Sequence, residues 1–245
     1  MTAAEFYSIT KQRFPFEPTI KQNIVLQQLS EFIFNKKPNS LYLLKGYAGT
    51  GKTTIIGAIV SNLWKGKKSA VLMAPTGRAA KVISNYSSKE AFTIHKKIYF
   101  PKKSKSGGVK FILQPNKHKN TIFIVDEASM IPDTPSETKL YENGSLLDDL
   151  IQYVYSGHQC KLLLIGDTAQ LPPVKLDLSP ALNANTLRLN YNKEVTKMEL
   201  DEVVRQEQDS GILANATRLR ETLISAFYDT FKFELNPFKA VSYTH

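Results

Sequence analysis

Apolar residues in this chain fall into short unbroken runs, separated by stretches in which they recur at helical spacing. The runs are Leu41-Tyr42-Leu43-Leu44, Ala70-Val71-Leu72-Met73-Ala74, Thr121-Ile122-Phe123-Ile124-Val125 and Lys161 to Ile165. Continuous apolar runs of this length read as strands buried on both faces. Between them the period changes. Ile24, Val25, Leu29, Phe32 and Ile33 predict a helix from Ile20 to Phe34, capped by Thr19. Thr54 to Val60 reads as a buried helix and Ala79 to Asn85 as another. Leu146, Leu147, Leu150, Ile151 and Val154 mark one from Gly144 to Tyr155, with Ser145 as its cap. Strand alternating with helix predicts an α/β fold, a parallel sheet with helices on both faces. Glu194 to Leu200 adds a strand, Gly211 to Leu223 a helix, and Phe231-Lys232-Phe233 the centre of a short strand. Residues 1–18 read as an irregular N-terminal extension, 19–210 as the main domain and 211–245 as a separate C-terminal segment.

One stretch breaks the alternation. From Ala91 to Val125 there is no Asp or Glu, while Lys96, Lys97, Lys102, Lys103, Lys105, Lys110, Lys117 and Lys119 all lie within it. Lys97-Ile98-Tyr99-Phe100 and Val109 to Leu113 flank Ser106-Gly107-Gly108, which predicts a basic β-hairpin inserted at 91–120. The formal net charge of the chain is +10, which favours an anionic partner, nucleic acid foremost. A single cysteine, Cys160, excludes an intrachain disulfide and suits a reducing, cytoplasmic setting. It reads as a packing residue. No apolar run approaches membrane-spanning length, so no membrane partner is expected.

The chemistry is concentrated at strand ends. Gly46-Tyr47-Ala48-Gly49-Thr50-Gly51-Lys52-Thr53 follows the first apolar run and opens a helix, the context that a phosphate-binding loop requires. Gly46, Ala48, Gly49, Thr50, Gly51, Lys52, Thr53 and Thr54 form the expected nucleotide-binding set. Lys52 would reach the β- and γ-phosphates of ATP, and Thr53 would ligate Mg²⁺. Asp126-Glu127 ends another buried run. Neighbouring residues of an extended chain point opposite ways, so Asp126 can hold Mg²⁺ while Glu127 orients and deprotonates water. Gly166-Asp167-Thr168-Ala169-Gln170-Leu171-Pro172-Pro173-Val174 ends a third run. The neutral amide of Gln170 can touch both a γ-phosphate and the attacking water.

These stretches occur in order with Ala74-Pro75-Thr76-Gly77-Arg78-Ala79-Ala80-Lys81 and Thr93-Ile94-His95. The combination resembles the first RecA-like motor domain of superfamily 1 DNA helicases, in the RecD-like/Dda-like branch that also contains exodeoxyribonuclease V alpha subunit-like chains. The resemblance covers Thr19 to Arg205. It implies a RecA-like P-loop NTPase fold, ATP hydrolysis coupled to 5′→3′ movement on single-stranded DNA, and a second RecA-like domain across the nucleotide cleft. No acidic cluster for nuclease chemistry is present, so strand cleavage is not expected.

By the same resemblance, Pro75, Thr76 and Arg78 match one DNA-contacting motif, and Thr93 and His95 match a second. Gln22 is similar to an adenine-reading glutamine, and equally suits a solvated helix position. Arg205 is similar to an arginine that reaches the γ-phosphate; a surface ion pair is its other reading. The hairpin sits where this family inserts a small pin near the DNA fork. There Lys102 and Lys103 would bind phosphates, and Tyr99 and Phe100 would stack on bases; the other reading is a solvated loop whose aromatics pack on the domain. Only forty residues follow Arg205. The expectation is therefore a motor domain that binds ATP and Mg²⁺ but lacks its second half, with slow or absent turnover. Two other classes stay open: a nucleic-acid-binding module without productive hydrolysis, and a small-molecule kinase, which leaves the Ala74–Lys81 and Gly166–Val174 stretches unexplained.

Overall fold

The computed structural model describes residues 1–103, 109–132, 145–167, 169–170, 173, 179–202 and 204, together with 215, 218, 219 and 222. Residues 1–203 form one compact unit and 204–245 a second. The predicted helix at Gly211–Leu223, the strand near Phe231, the hairpin turn Ser106-Gly107-Gly108 and Arg205 fall largely or wholly outside the described residues.

The framework of the first unit is a six-stranded sheet. Its strands are β1 (Ser40–Gly46), β2 (Ser69–Ala74), β3 (Ala91–Thr93), β6 (Thr121–Val125), β7 (Lys161–Gly166) and β8 (Glu194–Leu200). A separate antiparallel pair consists of β4 (Tyr99–Lys103) and β5 (Val109–Leu113). The order in the large sheet is β3-β2-β6-β7-β1-β8, and every pairing is parallel. All carboxyl ends therefore lie along one edge, which is where open parallel sheets place their ligands.

The side-chain period of two divides β1 between two cores. Tyr42 and Leu44 pack with Phe6, Val25, Leu29, Ile55, Ile59 and Ile83. Leu41 and Leu43 pack on the other face with Ile94, Leu147, Leu150, Val154 and Leu187. The first core is covered by α1 (Ala3–Gln12), α2 (Ile20–Phe34), α3 (Lys52–Asn62) and α4 (Gly77–Ser87), and the second by α5 (Ile94–Ile98), α6 (Leu146–Ser156) and α7 (Ala184–Leu189). β1 is buried along its whole length, as its apolar run requires.

Two expectations change here. Residues 1–18 are not irregular throughout: α1 begins in a capping box in which Thr2 and Glu5 each bond the other's backbone N–H, and it buries Phe6 in the first core. Lys97 and Ile98 are not strand residues but end α5, and the hairpin begins at Tyr99. Ile98 is drawn into the second core, so the chain turns inward before it pairs.

Lys161 is a buried cation at the start of β7. Its ammonium donates to the carbonyls of Phe32 and Asn35 and to Asn35 Oδ1, capping the C-terminus of α2. Burial lowers its pKa to about 8, against an ordinary value of 10.5. The unfolded chain thus holds this proton to a higher pH than the folded one. The folded state bears the cost in full below about pH 8, and sheds it as pH rises towards 10.5. Lys161→Met, which leaves the carbonyls without their donor, is expected to lower unfolding free energy by about 1–3 kcal/mol at pH 7. Its cost relative to wild type should grow by about 1–2 kcal/mol between pH 7 and 9.5. Urea unfolding of both proteins at the two pH values checks this; a cost that shrinks with pH contradicts the account.

Candidate nucleotide site

The loop between β1 and α3 is shaped by its glycines. Gly49 and Gly51 have φ of 84° and 86°, in the left-handed region that favours glycine. A Cβ on Gly51 would also stand 2.4 Å from the Gln22 amide nitrogen. Gly51 caps α3 without any side-chain hydrogen bond, so the N–H groups of the first turn remain aimed at an incoming anion. Thr50 is buried and ties the loop together, its hydroxyl donating to Tyr47 O at 2.8 Å. The Lys52 ammonium lies over the loop, donating to Gly46 O at 2.5 Å and Tyr47 O at 2.8 Å.

Gln22 is neither solvated nor uncommitted. It is buried, Oε1 accepts from Thr19 N at 3.1 Å, and Nε2 donates to Thr50 O at 3.1 Å. The same amide caps α2 and props the phosphate loop, which corrects the solvated-position reading.

Asp126 and Glu127 stand at the carboxyl end of β6. One Asp126 oxygen accepts from Glu127 N at 3.0 Å, and the other from the phenol of Tyr86 at 2.7 Å. The Thr53 hydroxyl acts on the same phenol and lowers its pKa, so both expected metal ligands bear on one side chain that the sequence did not flag. Burial, and secondarily the Asp126 charge, push the phenol's pKa upward, which keeps it a donor. Hydroxyl and carboxylate oxygens suit Mg²⁺, which retains water and takes the rest of its shell from phosphates. No group of three or more His, Cys, Asp or Glu that would form a closed metal cage occurs among the described residues.

Glu127 has a φ of 55°, a left-handed conformation rarely held by a residue with a long side chain. The kink turns the chain off the strand line into the short 3-10 turn Ala128–Met130. Burial first, and the neighbouring Asp126 charge second, raise its pKa; a hydrogen bond from Gln170 and the Lys52 charge oppose them. Gln170 is held in turn by Ser129, whose hydroxyl donates to its Oε1 at 3.0 Å. Lys52, Glu127 and Gln170, predicted from three separate stretches, therefore share one site.

The other expected contacts divide. Thr76 caps α4 by accepting from Ala79 N at 3.2 Å, Pro75 is half-buried and Arg78 is exposed beside them. Thr93 caps α5, accepting from Lys96 N at 3.1 Å. His95 is half-buried, and burial lowers its pKa. Lys102 and Lys103 are exposed on β4. Tyr99 does not present a stacking face: it is 7% exposed, and its hydroxyl donates to buried Asp149 at 2.5 Å. Adjacent Phe100, 39% exposed, takes the outward position, as strand alternation demands. Cys160 is a buried free thiol, as read.

A family model described as an AAA domain matches residues 30–231. The chain belongs to that family. Among characterised relatives it is 31% identical over 202 residues to the ATP-dependent DNA helicase Dda of Enterobacteria phage T4, covering 81% of this chain and 40% of that protein. It is 32% identical over 139 residues to the ATP-dependent RecD2 DNA helicase of Deinococcus radiodurans, covering 56% of this chain and 17% of the relative. The Pif1 helicase from Candida albicans shares the fold, with a TM-score of 0.52 at 20% identity over 82% of this chain and 43% of that one. Within the AAA domain family, the sequence groups with RecD- and Dda-like superfamily 1 motor domains. It spans less than half the length of these relatives.

Proposed function

We propose that this AAA domain is the ATP-binding motor domain of an ATP-dependent DNA helicase that moves 5′→3′ on single-stranded DNA, working with a second RecA-like domain. The observation that carries this reading is the meeting of Lys52, Glu127 and Gln170 beside the open N-terminus of α3. Phosphoryl transfer needs little covalent help from a protein. It needs donors and cations placed around the transferring group, and an oriented water.

In this mechanism the loop amides and Lys52 hold the β- and γ-phosphates. Thr53 and Asp126 would hold Mg²⁺, which would supply charge neutralisation to the phosphates. Glu127 accepts the proton of the attacking water. Gln170, held by Ser129 beside Glu127, senses the γ-phosphate. By the family resemblance, Arg205 would supply charge to the γ-phosphate. Turnover by the chain alone is slow, because catalysis draws on groups from both sides of the cleft. The cytoplasm is the proposed setting, supported by the lone buried thiol; no helix among the described residues is long and apolar enough to cross a membrane.

ATP binding and turnover, measured with and without oligo-dT, test the reading. Mg²⁺-dependent ATP binding with DNA-stimulated turnover supports it, and a folded chain that binds no ATP sinks it.

The hairpin offers an independent check. Lys102 on β4 stands opposite Lys110 on β5, an unfavourable like-charge pair unless an anion lies between. Replacing both with Gln is expected to weaken oligo-dT binding about 10-fold at low salt, and to reduce the slope of log affinity against log salt by about 1–1.5. Fluorescence anisotropy at several salt concentrations reads both; an unchanged slope excludes the hairpin from the DNA path.

A further inference from the structure

Tyr86 belongs to none of the motifs read from the sequence. It lies in the last turn of α4, half-buried, ten residues beyond the Thr76 cap. Helical side chains lean towards their own N-terminus, so its ring returns towards the carboxyl edge of the sheet. There it reaches residues from two other elements. Its hydroxyl donates to Asp126 at the end of β6 at 2.7 Å, and Thr53 in the first turn of α3 acts on the same phenol. Its backbone approaches α3 as well: a Cβ on Gly57 would sit 3.5 Å from Tyr86 O.

Among the described residues the Asp126 carboxylate has two donors, one per oxygen: Glu127 N and the Tyr86 phenol. With both in place its plane is fixed. With only the backbone donor it can rotate about χ2, and the lone pairs aimed at a cation are no longer pre-set.

We propose that Tyr86 is a positioning residue of the nucleotide site, whose phenol holds the Asp126 carboxylate in the orientation that a nucleotide-bound divalent cation requires. The proposal rests on the ATP-site reading above and deepens it. Outer partners of metal ligands typically carry about 10-fold or more in metal affinity.

The test is Tyr86→Phe, which keeps the ring and its packing and removes only the hydroxyl. Fluorescent mant-ADP is titrated into the full chain with excess Mg²⁺ and again with EDTA. Wild type is expected to bind more tightly with Mg²⁺. In Tyr86→Phe that Mg²⁺-dependent gain should shrink about 10-fold, with the EDTA affinity unchanged within about 2-fold. Mn²⁺ bound in the presence of ADP, followed by electron paramagnetic resonance, should weaken in parallel. An equal gain in the two proteins overturns the proposal. So does an equal loss with and without Mg²⁺, which makes the residue merely structural. Wild type that binds no nucleotide overturns the ATP-site reading and this proposal together. Tyr86→Leu, which removes ring and hydroxyl, serves as the packing control: if Phe behaves as wild type and only Leu fails, the phenol has no positioning role.

Discussion

Lys52→Ala is expected to weaken MgATP binding at least 100-fold while leaving the fold intact. Two charge-assisted hydrogen bonds to phosphate are lost, each worth about 1.5–3 kcal/mol, and the sum corresponds to roughly 10²–10⁴ in affinity. Without nucleotide the ammonium bonds two loop carbonyls, Gly46 and Tyr47, and lies half-exposed. Water can replace those partners, so the melting temperature of the variant alone should move by no more than about 2 °C. Titration with mant-ATP beside a thermal melt separates the two effects. Near-wild-type affinity would remove Lys52 from the site, and a collapsed melt would mean that its loop contacts are structural.

Glu127→Gln should do the opposite in binding and at least as much in turnover. Gln keeps the length and shape of the side chain and can still bond the Gln170 amide, so MgATP affinity should change less than about 3-fold. What it cannot do is accept a proton from water. General bases contribute about 10²–10⁴, and single-turnover hydrolysis of radiolabelled ATP by this chain should fall by about that factor. The alternative is that Glu127 serves only to shape the kink at the end of β6. In that case Gln should hydrolyse ATP as fast as Glu does, because the backbone at φ 55° asks the same of either residue.

How much of this was legible beforehand depends on what each residue answers to. β1 and β8 were readable because local pattern and tertiary role agree: an unbroken apolar run belongs inside a parallel sheet, and Glu194–Leu200 is strand in both sequence and structure. The phosphate loop was readable because its glycines are demanded by backbone geometry. α1 was missed although Thr2 and Glu5 spell a capping box, because the helix buries only Phe6 and Thr10 and its apolar stripe is short. Tyr99 and Phe100 show a different limit. Both are aromatic and adjacent, and only the register of β4 against β5, with Tyr99 opposite Leu113, decides which one faces Asp149 and the core. Tyr86 could not be read at all. Its partners are 33 residues before it and 40 after it, and nothing in its own neighbourhood announces them.

The position of β7 has a consequence for durability. That strand stands between β1, which ends in the phosphate loop, and β6, which ends in Asp126-Glu127. The strands that carry nucleotide cradle and acidic pair are therefore held two inter-strand steps apart, about 9–10 Å, by main-chain ladders. Surface helices can be repacked or recharged without altering that ruler. Amide hydrogens along β6, β7 and β1 should accordingly exchange only through whole-unit opening, and the capacity to hold a nucleotide should vanish in the same cooperative step as the sheet, not ahead of it.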